Sequence, residues 1–280
     1  MEPLSGSHRQ QFQAEICRAD QEINLAHAAL LVAREEYPQL GIQGYLGRLD
    51  LLAEETKDRL NGETAPLLVL QELLSTLYRR HSYRGNRDSY YDPRNSFLND
   101  VLDRGLGIPL TLGIVLLEAG WRLNLPLEGV NFPGHFLVRF RGDAMDLLVD
   151  PYDGGALRFQ DQAQELLDRI YGGMISVHDS FVKAAPRQEM IIRLLTNLKS
   201  LYLNAGDHDR ALAAVEMILL VRPVASGETR DRGVILARMG RKEEALMQLE
   251  AYLNAVPEAA DSHRILGLVQ ELRDGGGRGS

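Results

Sequence analysis

The feature that most constrains this chain is an alternation of residues that runs out, turns and comes back. Phe136, Val138 and Phe140 alternate with His135, Leu137 and Arg139, which is the two-residue period of a strand. Gly142-Asp143 follows, and glycine first suits a type II′ turn. A second run then extends from Met145 to Asp150. A two-residue turn sets Phe136 opposite Val149, Val138 opposite Leu147 and Phe140 opposite Met145, so that one face is wholly apolar. The other face sets His135 opposite Asp150 and Arg139 opposite Asp146. A slip by one residue would scramble both faces. Opposed Cβ atoms sit about 4.5–5.5 Å apart, close enough for a His–Asp hydrogen bond.

Helical spacing surrounds this hairpin. Ile23, Ala26, Leu30 and Ala33 recur along one helix that Pro38 closes, and Leu46, Leu49, Leu52 and Ala53 continue the pattern. Leu67, Leu70, Leu73, Leu74 and Leu77 mark a further helix that Pro66 can start. Ser82 to Pro93 is polar and reads as a loop carrying Tyr83, Tyr90 and Tyr91, either a contact surface or a segment folded back on the domain. Phe97, Val101 and Leu102 predict a short helix closed at Arg104-Gly105. Gly107-Ile108-Pro109 then opens an apolar helix to about Leu123, buried on most sides.

The last third repeats. Gly206 recurs as Gly240, Ala211 as Ala245, Leu212 as Leu246 and Pro223 as Pro257, each 34 residues on. That is the period of the tetratricopeptide repeat, a helix–turn–helix unit. The small alanine lets helices approach, the glycine makes the turn and the proline ends the second helix. Two repeats fall below the usual stable number, so they are expected to lean on the preceding domain or on extra helices such as Arg187 to Ser200 and Ser262 to Leu272. The Gly275-Gly276-Gly277-Arg278-Gly279 tail reads as disordered.

Composition bounds the partners. The formal net charge is -8, from 31 basic against 39 acidic residues. This points away from nucleic acid, and the basic stretch Arg79-Arg80-His81 reads as a solvated helix end. Cys17 is the only cysteine, which excludes an internal disulfide, and its place beside Ile16 suggests a small core residue. No apolar leader core or membrane-length run is visible, so a cytoplasmic location is expected. A metal site from His135 and Asp150 with Asp153 or His178 matches no strong ligand spacing, and no cofactor is expected. Gly154-Gly155 reads as a tight turn.

The stretches Asn95-Ser96-Phe97-Leu98-Asn99-Asp100-Val101-Leu102, Gly107-Ile108-Pro109, Pro133-Gly134-His135-Phe136-Leu137-Val138 and Asp150-Pro151 with Gly154-Gly155 together resemble the SirB family. The resemblance is to the branch that joins a transglutaminase-like core to tetratricopeptide-like repeats. It implies an α+β chain with a papain-like core and a small antiparallel sheet, and no well-established activity. Residues 1–94 form a helical N-terminal region, 95–183 the core, 184–272 the repeats and 273–280 a tail. In active members of the superfamily, a cysteine at a helix start is the nucleophile, a strand histidine is its base and an aspartate orients the histidine. The resemblance gives the last two roles to His135 and Asp150. Pro109 or Leu110 stands where the cysteine would be.

Two functions follow as expectations. One is a pseudoenzyme acting as a bacterial-type regulator, with a protein or peptide partner on the repeats. The other is a hydrolase or acyltransferase using Thr111 with His135 and Asp150, which requires the Thr111 hydroxyl within roughly 3 Å of the imidazole. Each residue also has a structural use. His135 and Asp150 can rigidify the sheet end, Asp150 can cap the turn after it, and Thr111 can bond back to a helix carbonyl.

Overall fold

The computed structural model describes residues 5–142 and 146–274. The chain divides into two compact units, Met1–Leu194 and Leu195–Ser280.

The first unit begins with helices α1 (Ser5–Ile16), α2 (Leu25–Ala33), α3 (Ile42–Arg59) and α4 (Pro66–Leu74). Helix α2 is apolar on almost every side and is buried accordingly. Its start is well capped: Asn24 accepts the His27 N–H at 2.8 Å, and the buried carboxylate of Glu118 accepts the Ala26 N–H at 2.8 Å. Pro66 opens α4, which continues into a π-helical turn at Ser75–Arg80. Cys17 departs from expectation. Helix α1 ends at Ile16, so the thiol lies in the following turn and is exposed, outside the core.

The polar segment after α4 is more ordered than its composition suggests. It forms β1 (Arg84–Gly85), then α5 (Leu98–Arg104), and β2 (Leu106–Gly107) pairs with β1 in parallel. Gly105 closes α5 at φ +67, the left-handed conformation in which a glycine C′ costs least. Helix α6 (Pro109–Arg122) follows and is buried from Pro109 to Gly120.

Strands β3 (Leu127–Val130), β4 (Leu137–Arg141), β5 (Asp146–Asp150) and β6 (Ala156–Arg158) make an antiparallel sheet in chain order. Beside β4, the Phe136 ring closes over Gly113 of α6, where a Cβ would stand 2.4 Å from the ring. The reverse face of the sheet is also covered. Leu137 and Leu148 join Phe132, Leu166 and Leu167 in a second core under α7 (Ala163–Tyr171).

The hairpin register departs from the two-residue turn by two places. Val138 pairs with Val149, Phe140 with Leu147, and Arg141 with Asp146. Asp143 of the expected turn, and Met145 of the expected Phe140 pair, lie outside the described residues. The reason is parity: side chains alternate with period two, so a shift by two keeps every residue on its face. The apolar pattern therefore specifies the face and leaves the position along it open. Arg139, expected opposite Asp146, donates instead to Glu128 on β3.

The unit boundary falls within α8 (Arg187–Ala205), and α9 (His208–Val221), α10 (Ser226–Arg238), α11 (Lys242–Ala255) and α12 (Ser262–Asp274) complete the chain. The 34-residue correspondence maps onto geometry. Gly206 and Gly240 take φ +73 and +75 in equivalent turns, Ala211 and Ala245 are fully buried, and Pro223 and Pro257 lie just beyond α9 and α11. Lys199 binds Glu228 and Asp231 at 2.8 Å each within this unit. The expected glycine-rich tail lies outside the described residues.

Candidate functional site

His135 was expected on a strand and is found in the bend before it. Its backbone N–H donates to the Phe132 carbonyl at 3.0 Å. Gly134 makes the bend at φ +66, and a side chain there would meet Ile170 and Tyr171 of α7. The bend carries the imidazole over the end of β5, so Nε2 lies 2.9 Å from Asp150 Oδ1. Both side chains are almost buried, 11% and 4% exposed.

Asp150 ends β5 and caps the turn after it. Its Oδ1 also accepts the N–H groups of Tyr152 and Asp153 at 3.1 Å each. Burial pushes this carboxyl up, but the hydrogen bond and charge of His135 and the two backbone donors outweigh it. The carboxyl is held below its ordinary value. An ionised Asp150 can only accept, so Nε2 carries the proton and Nδ1 is the basic nitrogen. No group among the described residues bonds Nδ1.

Thr111 is not joined to this pair. It is fully buried, and its Oγ1 donates to the Asn95 carbonyl at 2.7 Å, with the Ile108 carbonyl at 3.2 Å. The same oxygen accepts the Ile108 N–H at 3.2 Å. Asn95 accepts from Asn86 at 3.0 Å and donates to the Ser89 carbonyl at 2.7 Å. The Asn86 N–H reaches the Gly107 carbonyl at 3.1 Å. Thr111, Asn86 and Asn95 thus lock the tyrosine-bearing loop onto the first turn of α6. Pro109 and Leu110, at the position where the resemblance expects a thiol, carry no nucleophilic atom.

Aromatic rings line the approach to His135. Tyr152 meets the imidazole edge-on with ring centres 6.1 Å apart, and Tyr90 meets Tyr152 at 6.1 Å. The Tyr152 ring lies directly on Gly85, where a Cβ would stand 2.4 Å away. The three loop tyrosines divide: Tyr83 is buried, which pushes its phenol up to about 12, while Tyr90 and Tyr91 are exposed. The Asp153 carboxylate bonds Arg87 and Arg158, and His178 packs against Phe181, so neither side chain joins the pair. Among the described residues no three His, Cys, Asp or Glu side chains gather as a metal site.

Sequence reasoning passed over Arg193 of α8. It sits near the same bend, and its Nη1 donates to the Phe132 carbonyl at 3.2 Å and Asn131 Oδ1 at 3.4 Å. The signal was present: a single cation inside Met190-Ile191-Ile192-Arg193-Leu194-Leu195 marks a charge turned inward.

Residues 43–196 match the transglutaminase-like superfamily, and residues 198–270 match the tetratricopeptide repeat. A UPF0162 protein of Xylella fastidiosa is 34% identical over 90% of this chain and 91% of its own length. The UPF0162 protein of Pseudomonas aeruginosa is 32% identical over 85% of this chain and 86% of its own. The UPF0162 protein YchA of Escherichia coli is 29% identical over 85% and 88%.

Proposed function

The chain belongs to the transglutaminase-like superfamily, together with the UPF0162 proteins, and on that premise we propose that it acts by binding rather than by catalysis. In this reading the core is a pseudoenzyme of the SirB type, and the repeats hold a protein or peptide partner in the cytoplasm as part of a bacterial regulator. The division into a helical region (1–94), core (95–183) and repeats (184–272) belongs to the same proposal.

The observation that carries it is the 2.7 Å hydrogen bond from Thr111 Oγ1 to the Asn95 carbonyl. A hydroxyl that serves as a nucleophile must give its proton to the base beside it. This one gives its proton to a backbone carbonyl inside a closed network, and the neighbouring helix-start residues offer no alternative. Hydrolase or acyltransferase chemistry through Thr111 would require that network to open first.

The repeats supply a surface for binding. Val234, Ala237 and Arg238 of α10 face Gly267, Leu268 and Leu272 of α12 across a groove of about 470 Å³. A Cβ on Gly267 would meet nothing within 4 Å, so Gly267→Gln fills the groove without disturbing the helices. The test captures partners on the full chain and on this variant. The reading expects a partner held by the full chain, lost with Gly267→Gln and retained with His135→Ala. A partner unaffected by Gly267→Gln would count against the groove as its seat.

A further inference from the structure

Among the described residues, Arg193 is a cation without an acidic partner. Of the other partly buried arginines of the first unit, Arg139 binds Glu128 and Arg122 binds Asp50 and Glu118, while Arg34 spends its Nε and Nη2 on the Leu40 carbonyl and Arg187 lies over the Trp121 ring. The bonds of Arg193 go only to the Phe132 carbonyl and the Asn131 amide, both through Nη1. Its Nε–Nη2 edge, which presents two parallel N–H groups, has no partner among the described residues. Burial pushes this guanidinium down from its ordinary value, and only the Tyr90 and Tyr171 phenols act in the other direction. Leaving a half-buried charge unpaired costs stability that a ligand can return.

The Phe132 carbonyl accepts from both Arg193 Nη1 and the His135 backbone N–H, which brings the guanidinium and the bend together. From His135 the rings of Tyr152 and Tyr90 follow in two edge-on steps, and the Tyr90 phenol acts on the Arg193 charge. On the other side, the Tyr171 hydroxyl lies against Gly134, 3.0 Å from where a Cβ would stand. The Tyr90 ring is 43% exposed, so solvent reaches this side.

We infer that Arg193, Tyr90 and Tyr171, beside His135, form a binding site for the carboxylate end of a small molecule. A guanidinium edge matches a carboxylate bidentately, and one unpaired cation balances one negative charge. A dianionic phosphate would leave a charge uncompensated, because Arg87 at the rim is already paired with Asp153. The phenols can donate to the carboxylate oxygens, and the rings can cover an apolar body. The site needs no nucleophile and stands independently of any partner on the repeats.

The test is a titration of the isotopically labelled full chain with acetate, at ionic strength held constant by chloride. It follows the arginine Nε–H signals by NMR, with inorganic phosphate as a second probe. The site predicts one saturable arginine signal with a midpoint of about 1–10 mM, the range for a single charged contact pair. That signal is absent from Arg193→Gln, and from Arg193→Lys if the glutamine variant does not fold. Tyr171→Phe keeps the ring against Gly134 and weakens acetate about 3–10-fold, the worth of one hydrogen bond. No saturable response in the wild type, or the same response in the Arg193 variants, overturns the site. Tighter binding of phosphate than of acetate overturns the carboxylate assignment.

Discussion

His135 Nε2 lies 2.9 Å from Asp150 Oδ1, although the two residues do not face each other across the sheet. The ladder runs from Val138–Val149 to Arg141–Asp146, so His135 stands beyond its end and reaches back diagonally. Diagonal neighbours are about 7–8 Å apart, within the span of an imidazole meeting a carboxylate. The bend at Gly134 supplies the rest.

The pair should therefore be felt as stability. Asp150→Asn is expected to cost about 1–3 kcal/mol near neutral pH, since it weakens a buried bond to a charged partner. The Asp150 carboxyl is held below its ordinary value of 3.8 in the folded chain. Its contribution is present above that pH and is lost as pH falls below it, through the lowered folded value. Denaturant midpoints for both proteins should differ near neutrality and converge in acid. A gap that persists unchanged in acid would contradict this origin.

Gly113 sets how closely α6 approaches the sheet. Alanine would gain about 1 kcal/mol of helix propensity. Its Cβ would also meet the Phe136 ring at 2.4 Å, and overpacking of this kind costs about 1–3 kcal/mol. Gly113→Ala should be net destabilising in thermal melts, and Gly113→Ala with Phe136→Leu should recover part of the loss.

Thr111 should hold the loop. Thr111→Val keeps the shape and removes the 2.7 Å donor to the Asn95 carbonyl, leaving only the longer 3.3 Å bond from the Ile108 N–H, for about 0.5–1.5 kcal/mol. Hydrogen exchange should accelerate across residues 86–95, and Thr111→Ser should restore protection.

In the second unit, Lys199 joins Glu228 and Asp231. Burial pushes its ammonium down, but the bonds and charges of Asp231 and Glu228 outweigh it and hold it above the ordinary 10.5. Its contribution is therefore full below that pH and is lost as pH rises through the higher folded value. Lys199→Met should cost about 1–3 kcal/mol at neutral pH, between the values for exposed and buried pairs. Unfolding of the full chain, followed by circular dichroism, reads this out.

The sequence made much of this legible, and the gaps have physical causes. The repeats were visible because Gly206, Ala211 and Pro223 each serve a backbone or packing need that recurs at fixed spacing. The meeting of His135 and Asp150 was visible because a shift of register by two leaves both on one face. The register itself was not, because alternation carries parity and no position. Cys17 looked internal beside Ile16, but the helix ends between them. Arg193 stands out in its apolar run as a charge turned inward, but that pattern does not tell that the charge meets no acid there.

The most direct measurement of the central claim is acyl transfer at Thr111. The full chain is incubated with an activated ester, and its peptides are mapped by mass spectrometry beside those of His135→Ala. A hydroxyl bonded to the Asn95 carbonyl should acquire no adduct in either protein, with turnover no faster than the free imidazole background. An acyl group on Thr111 of the wild type that disappears in His135→Ala would contradict the account.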